Sequence, residues 1–151
     1  MKTLEKALDC EDEKVILEGF MKRYDVSYPE AQDIFNETKK WLWLASKSAE
    51  DQNFSLFIDQ PLTIIDEMWH TFILYTRAYY KYCFNKFNRL IHHDPASESE
   101  NQLTNNIDPK TLLETQYNLI YDYLGRETLI KWYDTLPSKY TLEYIKSIKK
   151  A

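Results

Sequence analysis

Only two glycines, Gly19 and Gly125, occur in the 151 residues. Glycine is the residue that reaches positive φ without steric penalty. A chain so poor in it has few places for tight hairpin turns, phosphate-cradling loops or a many-stranded sheet. Helices joined by short polar links need few such positions. The expectation is therefore an all-α fold, and 151 residues suit one domain with one core.

Helical periodicity and capping residues place the elements. Val15, Ile16, Gly19, Phe20 and Tyr24 recur at helical spacing over residues 11–24. Ser27, followed by Pro29 and Glu30, marks the start of a helix running to Ser48, with Ile34, Phe35, Thr38, Trp41, Leu42 and Ala45 as its apolar stripe. The link over residues 49–61 is polar but lays Phe54, Leu56, Phe57 and Ile58 onto the core. After Pro61, "LTIIDEMWHTFILY" is apolar nearly all round and predicts a buried helix. Thr76 reads as the N-cap of "RAYYKYCFNKFNRL", so Leu62–Arg89 becomes a central helical hairpin. Residues 94–108 read as a long mobile loop, like the polar N-terminus over 1–10. Asp108-Pro109 opens a helix to Leu124 that ends at Gly125, and a short helix stopped near Pro137 precedes a last one. The sum is a compact bundle of about six helices.

Composition bounds the function. Hydrophobic residues at 44% and charged residues at 28% are an ordinary globular balance. A net charge of −5 argues against a nucleic-acid partner, which needs a basic face. The terminal "YIKSIKKA" reads as a solvated, frayed tail. Cys10 and Cys83 make no disulfide framework, and no run has signal-peptide or membrane-span length. The expected setting is cytoplasmic, with no membrane partner.

All three histidines fall in "IDEMWHTFILYTRAYYKYCFNKFNRLIHHDP", residues 65–95, together with Cys83. Asp66 and His70 are four apart and share a helix face, about 6 Å between Cβ atoms. On one unbroken helix His92 would lie about 33 Å from His70. A shared site therefore requires the chain to break at Thr76 and its far end to return. As metal ligands, Asp66, His70, Cys83, His92 and His93 suit zinc or iron, although no CxxC or HExxH motif is present. As a catalytic group, Cys83 would need a histidine base and an electropositive, partly open setting, whereas its neighbours are aromatic. As structural groups, Trp69 anchors the core, Asp66 satisfies N–H groups and the histidines pin or end helices.

The same residues carry a resemblance. Asp66, Trp69 and His70, then Thr76, Tyr79 or Tyr80, Cys83, His92, His93 and Pro95 resemble the glycine-rich domain-containing protein-like domains, the DUF1399 type. The similarity runs from about Val26 to Trp132 and implies an all-α domain. Phe72 stands where many such domains carry a second histidine, which removes one ligand that the resemblance would imply.

Twelve tyrosines and four tryptophans suggest a further class, since these residues anchor interfaces. Trp41 and Trp43 cannot share one helix face, so one should lie at a groove, a dimer contact or a second layer. The leading expectation is a non-enzymatic protein-interaction or adaptor domain with a protein partner or self-association. The alternative is a zinc- or iron-binding protein, either a simple binder or an enzyme, using the Asp66/His70/Cys83/His92 cluster.

Overall fold

The structure is a computed structural model, and it describes residues 3–93 and 108–151. It is all-α, and among the described residues no strand forms beyond one isolated bridge between Tyr24 and Lys149. The helices are α1 (Leu4–Ala7), α2 (Glu13–Arg23), α3 (Tyr28–Gln52), α4 (Thr63–Leu74), α5 (Thr76–Phe87), α6 (Pro109–Leu124), α7 (Arg126–Ile130), α8 (Leu136–Lys139) and α9 (Leu142–Ile148). Among the described residues no helix is long and apolar enough to cross a membrane.

Two entry signals act as read. Ser27 Oγ accepts from the Glu30 amide at 3.2 Å and Asp108 Oδ1 accepts from the Lys110 amide at 3.3 Å, satisfying N–H groups that the first turn leaves free. Thr76 is not a cap. It is the first residue of α5, and Tyr75 takes the non-helical conformation between the two helices. Helix α3 continues beyond Ser48 to Gln52, and Asn53 ends it in the left-handed region at φ 50°.

Helix α3 is buried around most of its circumference and shares the centre with α4, which packs along it. Trp41 meets Trp132 at 5.7 Å between ring centroids, and Trp43 meets Tyr123 of α6 at 6.2 Å. Both tryptophans are buried because α6 and the segment after α7 cover the second face. Even Lys39 of α3 is enclosed. Its ammonium lies 2.6 Å from Glu13 Oε1, donates to the Leu8 carbonyl at 2.5 Å, and sits over the Phe35 ring.

Three segments differ from the sequence expectation, each for a local reason. Residues 4–7, read as polar tail, form a turn of helix with Ala7 in the core and its carbonyl accepting from the Tyr82 hydroxyl. The helix near Pro137 does not stop there. A π-helical turn over Lys131–Thr135 precedes Pro137, and α8 continues past it. Widening the turn relieves the clash between the proline ring and the carbonyl four residues earlier. The basic tail is tied rather than frayed, since the Asp25 amide donates to the Ile148 carbonyl at 2.7 Å and the Lys150 amide to the Arg23 carbonyl at 2.8 Å. The loop expected over 94–108 lies, apart from Asp108, outside the described residues.

At Phe57 the link after α3 is held by one side chain. The fully buried Gln116 of α6 accepts from the Phe57 amide at 2.9 Å and donates to the Phe57 carbonyl at 3.0 Å, as a neighbouring strand would. Its amide also donates to the Tyr133 hydroxyl at 2.9 Å.

Both glycines have a use. Gly125 holds φ at +95° between α6 and α7. A Cβ at Gly19 would run into the ring of Tyr75, so α2 accepts the α4–α5 corner only because that Cβ is missing. Gly19→Ala should therefore destabilise the fold by about 1–3 kcal/mol despite alanine's better helix propensity. The penalty should vanish in a Tyr75→Ala background. Denaturant unfolding of the four variants measures this, and an equal penalty in both backgrounds would contradict the contact.

Candidate metal site on the outer face of α4

Helix α4 is not buried all round. Ile64, Ile65, Met68, Trp69 and Phe72 face the core, while Asp66 and His70 share the outer face with the helical spacing of four. His70 Nδ1 lies 3.9 Å from Asp66 Oδ2.

The third member comes from beyond α5. Asn88 ends that helix in the left-handed region at φ 58°, and the chain then returns along α4 in a non-helical segment. Here Ile91 is buried, His92 exposed and His93 half-buried. That alternation is what an extended chain imposes, and it decides which histidine turns inward. His93 Nε2 lies 2.5 Å from Asp66 Oδ1, within hydrogen-bond reach. The His93 ring stacks on Trp69 at 4.0 Å and on His70 at 4.5 Å, with interplanar angles of 16° and 7°. One ligand-capable atom from each of Asp66, His70 and His93 lies within 4.8 Å of the others. The side chains of Asp66 and His93 are 20% and 16% exposed and that of His70 is 47% exposed, so solvent reaches the cluster from one side.

A strut behind the site sets this geometry. Trp69 Nε1 donates to the Tyr79 hydroxyl at 2.9 Å, and that hydroxyl donates to the Ile91 carbonyl. Burial keeps the Tyr79 phenol protonated, pushing its pKa far above the usual range. The strut joins α4, α5 and the returning segment two residues before His93. Sequence spacing did not single out Tyr79 for this, because its partners lie 10 and 12 residues away across a corner.

The cluster is smaller than the sequence expectation and differs in membership. Cys83 is fully buried, and burial raises its thiol pKa. It does not join the three. A thiol held protonated in the core lacks the thiolate that nucleophilic chemistry requires. His92 faces outward on the opposite side of the segment from His93. Glu67, next to Asp66, is committed elsewhere: it accepts from the Tyr24 hydroxyl at 2.5 Å and pairs with Arg23 at 3.4 Å. Phe72 is buried in the core against Phe35, Tyr79 and Tyr82. No ligand role is open to that position.

Fold and cluster together define an all-α domain with a carboxylate–imidazole site on one helix and its returning neighbour. The chain belongs to the UCP032817-like family, whose model matches residues 10–116. The match spans α2 to α5 and reaches into α6, including the whole cluster. It overturns the resemblance to the glycine-rich domain-containing proteins, which the two-glycine composition also fails to support. No curated protein and no solved structure matches the chain.

Tyr79→Phe should leave the Ile91 carbonyl and the Trp69 indole N–H without partners. Leaving two buried groups unsatisfied predicts a loss of about 2–5 kcal/mol. It also predicts that amide exchange accelerates more at Ile91–His93 than in the core of α3, relative to the parent. An equal acceleration throughout, or none at these residues, would remove the strut from the account.

Proposed function

We propose that the protein binds a divalent transition metal, zinc or iron, through Asp66, His70 and His93. The observation that carries this reading is the convergence of one carboxylate and two imidazoles from positions 27 residues apart, with ligand-capable atoms inside 4.8 Å. Two imidazoles and a carboxylate suit both zinc and non-haem iron. Three protein ligands on a solvent-reached face would leave positions for water or a substrate, the arrangement of reactive rather than purely structural sites. Metal ligation uses neutral imidazole and ionised carboxylate, so uptake should weaken as pH falls.

An interaction or adaptor role is the second reading. Leu74, Tyr80 and Phe84 are exposed at the α4–α5 corner and along α5, and the two rings pair at 6.4 Å. Exposed aromatic pairs of this kind suit a protein partner or self-association.

Elemental analysis of protein purified without a metal-affinity tag separates the readings. The metal reading expects about one equivalent of zinc or iron per chain and its loss in His70→Ala. His70 is half exposed, so that variant should keep the melting temperature of the metal-free protein while losing the metal. Less than about a tenth of an equivalent, with no thermal shift on adding Zn²⁺ or Fe²⁺, would contradict the reading. The interaction role would then stand alone. A fall in light-scattering mass on Tyr80→Ser would support self-association.

A further inference from the structure

Neither the core nor the cluster uses the outer face of α5. Tyr79, Tyr82, Cys83 and Phe87 turn that helix into the core. Opposite them, Arg77, Tyr80, Lys81 and Phe84 are exposed at spacings of three and four, which places them on one stripe. The stripe has two rows. Tyr80 and Phe84 form an aromatic row, each about half exposed and with rings 6.4 Å apart. Leu74, 69% exposed, adds a third apolar side chain at the α4–α5 corner.

Arg77 and Lys81 form the second row. The charged side chains of α5 are Arg77, Lys81 and Lys86, so a helix without a carboxylate sits on a chain of net charge −5. Arg77 has no acidic partner among the described residues. Lys81 Nζ lies 2.7 Å from Glu11 Oε2 and 4.0 Å from Asp12 Oδ2. The Lys81 and Glu11 side chains are both largely exposed. An exposed pair of this kind is worth little and gives way to a better-placed carboxylate. Between this row and Asp12 runs a groove of about 490 Å³ with Leu74 and Ala78 in its wall. Single exposed apolar residues need no explanation, but an aromatic pair beside an arginine has the composition of an interface.

We propose that the outer face of α5 docks an acidic amphipathic helix of a partner protein. The inference rests on the interaction reading above and names its partner; it does not depend on the metal. On such a helix, apolar side chains every three to four residues cover Tyr80, Phe84 and Leu74. Carboxylates four apart in the adjacent row pair with Arg77 and Lys81, which are also four apart. A second copy laying its own α5 here would bring a helix without a carboxylate against these cations. Charge therefore favours a different chain.

The test titrates the full chain into three labelled, side-chain-stapled helical peptides of about 18 residues, read by fluorescence anisotropy. All three carry the same leucine row, and the adjacent row is Glu, Gln or Lys. The Glu peptide should bind with a Kd below about 100 μM, the Gln peptide about tenfold or more weaker, and the Lys peptide weakest. Arg77→Glu with Lys81→Glu should reverse that order, and Tyr80→Ser with Phe84→Ser should weaken the Glu peptide by about tenfold or more. All four side chains are exposed, so both variants should keep the parent's melting temperature. Equal binding of the Glu and Gln peptides, or an unreversed order in the charge variant, would overturn the acidic partner and leave the interaction reading standing. A dimer mass in light scattering that Tyr80→Ser returns to one chain would give the face to a second copy and overturn the inference too. If no peptide binds and the mass is that of one chain, the interaction reading falls and the inference with it.

Discussion

The hydrogen-bonded chain from Trp69 through Tyr79 to the Ile91 carbonyl is the constraint on which the site depends. It crosses from α4 to α5 and then to the backbone that follows α5. It anchors the residues after Asn88 against α4, together with the burial of Ile91 and the stacking of His93 on Trp69. The strut is buried, so its links are strong and leaving any one unmade is costly. The cluster outside it is half open to water. A rigid inner layer thus holds a solvent-reached outer layer, which is how a protein pre-organises ligands without burying them.

The same corner ties the site to the rest of the fold. Tyr75 sits where α2 carries Gly19, and Arg23 at the end of α2 reaches Thr71 at 2.6 Å and pairs with Glu67. The C-terminal residues in turn hydrogen-bond to the backbone at Arg23 and Asp25. Helix α4 is therefore fixed from the core side by α3, at its end by α2, and along its outer face by the returning segment. Asp66 and His70 project from an element with little freedom to move.

Much of the fold was legible because it is encoded locally. Ser27, Asp108 and Gly125 mark helix ends through chemistry that acts within three residues, and the all-α class follows from scarce glycine and apolar periodicity. The shared face of Asp66 and His70, and the need for a break and a return, also follow from helix geometry alone. What spacing left open was set by tertiary contacts. Whether His92 or His93 turns inward depends on Tyr79 gripping Ile91 and fixing the alternation of that segment. Cys83 was grouped with the histidines by proximity in sequence, but its helix turns it into the core. The buried Lys39 could not be read either, because Leu8 and Glu13 come from a distant part of the chain to enclose it. The resemblance to the glycine-rich domain-containing proteins is overturned by the family match over residues 10–116.

We propose that Asp66, His70 and His93, which the fold brings together, hold a metal at a site in which the buried Cys83 takes no part. X-ray absorption of the zinc-loaded protein tests this most directly. The account predicts two imidazole nitrogens and carboxylate or water oxygens at about 2.0–2.2 Å, with no sulfur in the coordination shell. A sulfur shell at about 2.3 Å, or a shell of oxygens without imidazole, would contradict it.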